Sequence, residues 1–148
     1  MSILNTGLAK SAAADAYTID NSLRFNVADN GYLSWTPSAT ATSSKIFTVS
    51  CWVKRGEVDD ERRIFTAADD GASPEPRTDF GFLGTGALTI GINPTGSTWY
   101  SATVSPFYRD PSAWYNIVWS MDTSQGTPAD RSTLYVNGVE VTDFLSNN

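Results

Sequence analysis

Three carboxylates spaced two apart, Glu57, Asp59 and Glu61, sit in the segment Gly56-Glu57-Val58-Asp59-Asp60-Glu61. In an extended strand that spacing puts all three on one face, and carboxylates held together are the raw material of general acid–base chemistry. The residues around them argue for something plainer. Position 60, where packing beneath a strand would want an apolar side chain, is a further Asp, and Gly56 with Arg62-Arg63 places the segment at a hairpin tip, so solvated turn charges are expected. A second oxygen-rich stretch, Asp69-Asp70-Gly71-Ala72-Ser73-Pro74-Glu75 with Asp79, offers ligands for a hard cation such as Ca²⁺. It lacks the D-x-D-x-D-G spacing of an EF-hand loop, and a plain acidic loop is the simpler reading. No metal or other cofactor is expected. The chain contains no His, which removes His-based zinc sites and Ser-His-Asp or Cys-His machinery. Its single Cys51 permits no intrachain disulfide and reads as a buried structural thiol.

Recognition chemistry has more material. Aromatic residues make up 12% of the chain, and two adjacent pairs, Trp99-Tyr100 and Phe107-Tyr108, must each turn one ring away from the core if the backbone is extended. Exposed rings stack on sugar faces or anchor protein interfaces, so these four residues are the candidate binding groups. The net charge of −6 disfavours a surface that tracks a phosphate backbone, and nucleic acid is not an expected partner. No stretch approaches the ~18 consecutive apolar residues of a membrane helix. The opening Met1-Ser2-Ile3-Leu4-Asn5-Thr6-Gly7 has neither the basic nor the long apolar region of a secretory signal.

The elements that position these groups read as strands. In 148 residues one domain is expected over 22–148, preceded by a short arm over 1–21 whose Ile3, Leu4 and Leu8 are apolar anchors for docking on a partner. Ser22 to Asn26 and Gly31 to Trp35 are candidate strands around the turn-like Ala28-Asp29-Asn30. Ile46 to Arg55 alternates cleanly, with Phe47, Val49, Cys51 and Val53 as core positions, and Arg62 to Ala67 reads as its hairpin partner. Phe80 to Leu83, Leu88 to Ile92 and Trp99 to Val104 follow. Trp114 to Met121 presents apolar side chains on both faces, the pattern of a strand buried on both sides. Asn137-Gly138 between β-branched segments predicts a type I′ hairpin turn. About eight or nine short strands without a helical period predict an all-β, antiparallel two-sheet sandwich.

Trp114-Tyr115-Asn116-Ile117-Val118-Trp119-Ser120-Met121-Asp122, with Leu134-Tyr135-Val136-Asn137-Gly138-Val139-Glu140-Val141, resembles the signature of laminin-G-like domains, which are concanavalin A-like jelly-roll sandwiches. Ser22-Leu23-Arg24-Phe25-Asn26 with Tyr32-Leu33, and Phe47 to Arg55, extend the resemblance over Leu23 to Thr142. Phe107-Tyr108-Arg109-Asp110-Pro111 before Ser112-Ala113-Trp114-Tyr115, together with the opening L-N-T-G-L-A-K, is similar to a subgroup in virion proteins of tailed bacteriophages. The resemblance implies a non-enzymatic structural or adhesion module of a phage virion, most simply a tail-fibre or tail-associated protein. Such a protein would be made in the host cytoplasm, attached to other virion proteins through the arm, homo-oligomeric, and directed at a host-surface glycan. A capsid decoration protein is the alternative. A second alternative is a β-glucan hydrolase, because E-x-D-x-E is similar to the signature of laminarinase-type endoglucanases; there Glu57 and Glu61 would be the nucleophile and acid/base pair, with Asp59 setting their ionisation. Members of the family usually finish with a further strand pair carrying G-x-I/L-x-D/E-V/F, which this chain lacks. The resemblance therefore implies a sandwich incomplete at its C-terminal edge, continued in a longer protein or completed by a neighbouring chain.

Overall fold

From Ile46 to Lys54 the even-numbered residues are exposed and the odd-numbered ones half-buried, the period-two pattern of a strand with one face on a core. This strand, β1, is the first of nine in the computed structural model, which describes residues 21–43, 45–68, 76–93 and 100–147. The others are β2 (Arg62–Ala68), β3 (Arg77–Phe82), β4 (Ala87–Asn93), β5 (Tyr100–Phe107), β6 (Trp114–Asp122), β7 (Ser132–Val136), β8 (Val139–Glu140) and β9 (Phe144–Asn147). All neighbours are antiparallel, in a four-stranded sheet β1-β6-β7-β8 and a five-stranded sheet β2-β3-β4-β5-β9. The protein is an all-β jelly-roll sandwich. No described helix is long and apolar enough to cross a membrane.

The two inner faces meet around Trp119. Its indole, 1% exposed, stacks on Phe80 of β3 at 5.1 Å and meets the ring edge of Phe47 of β1 at 5.7 Å. Its Nε1 donates to Ser132 Oγ at 2.7 Å, so the one polar atom of the ring is satisfied inside the core. Phe82, Leu88, Ile117 and Met121 fill the remaining space.

Four expectations change. Arg62 to Ala67 is not the hairpin partner of β1: β1 pairs with β6, residue 46 opposite 122 through 54 opposite 114, while β2 pairs with β3 in the other sheet. The segment 56–61 therefore crosses between sheets and is not a hairpin tip. The strand from Trp114 is buried on one face only; Tyr115, Ile117, Trp119 and Met121 point inward, whereas Trp114 and Ser120 are exposed and Asn116 and Val118 half-exposed. Residues 22–26 and 31–35 form no strand. The chain divides after Thr40, and in the first unit the regular structure described is the short 3-10 turn Val27–Asp29, closed by Asp29 N to Asn26 O at 3.1 Å. At the other end of the second sheet, β9 joins β5 as its edge. The Asn137-Gly138 hairpin is present as read, with φ of 53° and 78°.

Candidate functional site

One end of the sandwich gathers the end of β5, the β7–β8 hairpin and the segment leading to β9. Asn137 turns the chain at a positive φ of 53°: its side-chain Oδ1 accepts from Asn116 N at 2.8 Å while Asn137 N donates to Asn116 O at 2.8 Å. Beyond β8, Val141 N donates to Leu134 O and Asp143 O accepts from Ser105 N, tying residues 141–143 to both sheets. Tyr108 is held from two directions, its N donating to Gly86 O and its O accepting from Arg55 Nη1 at 2.8 Å.

Between these segments lies an open groove of about 440 Å³, lined by Pro106, Tyr108, Val136, Val139 and Val141 on the apolar side and by Asn137, Glu140, Thr142 and Asp143 on the polar side. Its volume lies within the range of small-ligand clefts. Glu140 and Asp143 are exposed and form no ion pair among the described residues, so their oxygens remain available to hydroxyl or amine donors.

Arg55 holds this end together. It is 4% exposed, donates from Nη2 to Val58 O at 3.3 Å, and lies 4.5 Å over the ring of Phe82. Its Nε has no hydrogen-bond partner among the described residues, and burial lowers its pKa from the usual guanidinium value. The guanidinium fastens the crossover after β1 to the segment after β5 and serves as a packing clamp.

Of the binding residues read from sequence, Tyr100 is turned into the core and 6% exposed, which corrects its candidacy for stacking on a ligand. Tyr108 is half-buried, packed edge-on against Tyr115 and Phe82, and reaches the groove. Phe107 is the outward member of its pair, 51% exposed, with the Arg109 guanidinium 4.8 Å over its ring. Trp99 lies outside the described residues, as do Ile3, Leu4 and Leu8 and residues 69–75 of the acidic loop. Asp79 is described: it is buried in β3, accepts from Thr66 Oγ1, and is paired with Arg63 and Arg77. Among the described residues no group of three or more His, Cys, Asp or Glu side chains could hold a metal ion.

Sequence reading missed a second aromatic surface. Trp52 and Trp114, each about half exposed, lie on the outer face of the four-stranded sheet, where the register also places Val118 and Tyr135 side by side. Period two could have found them, because both occupy the outward parity of strands whose inward parity is the core.

The carboxylates 57, 59 and 61 share no strand face, because residues 55–61 form no strand. Glu57 and Asp60 pair with Arg62, and Glu61 pairs with Arg63. Arg62 and Arg63 are consecutive residues of β2, whose side chains leave opposite faces, so Glu57 and Glu61 are drawn apart. Arg62's guanidinium also holds the Asp60 carboxyl below the usual carboxylate range.

Residues 26–147 match the family model described as the concanavalin A-like lectin/glucanases superfamily. Comparisons with curated proteins and with solved structures find no match.

Proposed function

The chain belongs to the concanavalin A-like lectin/glucanases superfamily, and from that premise we propose that it is a non-catalytic recognition module that binds its ligand in the groove between Tyr108 and the Val139–Asp143 segment. The observation that carries this reading is the pairing of an apolar lining with two uncommitted carboxylates, Glu140 and Asp143. Carboxylate and amide oxygens beside an apolar surface accept hydrogen bonds from sugar hydroxyls while the carbon face of the sugar packs on the apolar groups. The opposite disposition of the Glu57 and Glu61 ion pairs supports a binding role over hydrolysis, since both glycosidase geometries need two carboxylates flanking one bond.

The setting we propose is a phage virion, with the domain on a tail fibre or tail-associated protein, residues 1–21 docking on other virion proteins, and the sandwich facing a host-surface glycan. The similarity of Phe107 to Tyr115 and of the opening L-N-T-G-L-A-K to phage virion proteins supports it. Many copies on one particle would compensate for weak single contacts.

The test is binding of the labelled domain to host cells and to an array of host-surface glycans. Wild type is expected to bind, Glu140→Ala with Asp143→Ala to lose binding, and Glu57→Gln to bind as wild type. Release of reducing sugars from β-glucan by wild type but not by Glu57→Gln would replace this reading with hydrolysis. Immunogold labelling over the head would assign a capsid decoration protein, and incorporation of a protein lacking residues 2–20 would remove the docking role of the arm.

A further inference from the structure

Asn137-Gly138 makes the hairpin turn, and it is also a dipeptide in which a side-chain carboxamide precedes a residue with no Cβ to shield its main-chain nitrogen. A Cβ built on Gly138 would meet nothing within 4 Å, so no neighbouring group packs over that nitrogen. Two bonds to β6 hold Asn137 in place: its Oδ1 accepts from Asn116 N and its N donates to Asn116 O, both at 2.8 Å. With φ of 53° and 78° the turn is of type I′, whose first central ψ is about 30°. At that ψ Gly138 N lies on the far side of the Cα–C bond from Cβ, turned away from the Asn137 Cγ. The hairpin that carries this turn is small. β8 has two residues, both exposed, and stands at the end of its sheet against β7. Just beyond it the chain is fastened by Val141 N donating to Leu134 O at 2.8 Å.

We propose that Asn137 is a site of spontaneous deamidation, and that opening of the β7–β8 hairpin sets its rate. In the opened hairpin the Asn137 ψ rotates until Gly138 N meets Cγ. The nitrogen gives up its proton and bonds to Cγ, the Cγ–Nδ2 bond breaks, and Nδ2 leaves as ammonia, closing a succinimide ring. Water then opens the ring. Cleavage between Cγ and the nitrogen leaves Asp in an ordinary chain, whereas cleavage between the main-chain carbonyl carbon and the nitrogen leaves isoaspartate. One water is consumed and one ammonia released, and no other reactant is needed. The closed hairpin withholds the attack geometry on which such a reaction depends, because it keeps Gly138 N turned away and the carboxamide bonded to Asn116. Opening one hairpin at the end of a sheet costs less than global unfolding, so the reaction runs without the core around Trp119 coming apart. The two products differ in consequence. Asp keeps an acceptor for Asn116 N, while isoaspartate lengthens the main chain by one carbon and disrupts the pairing of Val136 with Val139. Either product adds a carboxylate to the lining that already holds Glu140 and Asp143. A resulting change in ligand binding rests on the groove reading above; the modification itself does not.

The experiment is peptide mapping by mass spectrometry of the whole chain incubated at mildly alkaline pH, with and without guanidinium chloride. Asp and isoaspartate at 137 are scored separately from the second Asn-Gly pair, Asn30-Gly31. Conversion at 137 is expected in both conditions, more than about tenfold slower in the native protein, yet faster than the global unfolding constant from a denaturant titration allows. Val141→Pro removes the N–H bonded to Leu134 O. It should speed the native reaction several-fold and leave the denatured rate unchanged, with circular dichroism reporting that the variant is folded. Gly138→Ala should slow the denatured reaction, because its Cβ shields the attacking nitrogen. Absence of conversion at 137 in the denatured chain would overturn the site. A native rate equal to the denatured one, a native rate no faster than global unfolding allows, or a folded Val141→Pro that converts no faster than wild type would overturn control by the hairpin.

Discussion

Replacing Asn137 by Ala removes two things at once, and the structure separates them. Asn137 has φ of 53°, a left-handed conformation that costs an ordinary L-residue about 1 kcal/mol or somewhat more and that Asn tolerates better. Its Oδ1 also accepts from Asn116 N at 2.8 Å; losing that bond at an exposed position costs about 1 kcal/mol. Asn137→Ala should therefore destabilise by about 2 kcal/mol in urea titration with an unchanged m-value, which for a chain of this size lowers Tm by about 4–8 °C. Gly138→Ala isolates the backbone contribution. A Cβ there meets nothing within 4 Å, so only the strain of φ 78° remains, about 1 kcal/mol. Asn137→Asp keeps both an acceptor and a tolerance of the left-handed region and should stay within about 0.5 kcal/mol of wild type. Because the hairpin lines the groove, Asn137→Ala should also weaken ligand binding more than Asn137→Asp does. The reasoning is refuted if Asp at 137 costs as much as Ala, or if neither Asn137→Ala nor Gly138→Ala moves the urea midpoint.

Ser132→Ala should cost about 1–3 kcal/mol by chemical denaturation, because it strips the buried Trp119 Nε1 of its acceptor; a neutral result would mean that the indole finds another partner. Acid should destabilise the fold, with the sign set by three carboxylates held below their usual range: Asp60 by Arg62, Asp110 by the Ser112 hydroxyl and Asp122 by the Ser124 hydroxyl. Their stabilisation is present above the unfolded-state pKa of about 4 and is lost as pH falls through the lower folded values, so the urea midpoint should drop through that window. A midpoint that holds or rises there contradicts the assignment. Burial pushes the Cys51 thiol up, so it should react slowly with a disulfide reagent at neutral pH and rapidly once denaturant unfolds the chain; fast reaction of the native protein would place the thiol at the surface.

Local chemistry was legible wherever one short segment decides its own conformation. The Asn137-Gly138 turn follows from two residues that tolerate positive φ, and it appears as read. The alternation of Phe47, Val49, Cys51 and Val53 marked the inner face of β1, because period two needs no knowledge of the partner strand. Partnership itself was not legible. β1 and the adjacent β2 looked like a hairpin, yet the pairing energy of a strand comes from its opposed side chains, and Phe47 reaches Trp119, far along the chain, whereas β2 places Thr66 and Arg63 around Asp79 in the other sheet. The same limit applies to the site. Tyr108 could be named from an aromatic pair, but the groove needs Pro106, Glu140 and Asp143 beside it, and these meet only when the end of β5 is bonded to the segment leading into β9. The carboxylates 57, 59 and 61 show the converse. Their spacing suggested a shared face, and the crossover between sheets drew Glu57 to Arg62 and Glu61 to Arg63, because the chain from β1 had to leave its sheet before β2 could begin.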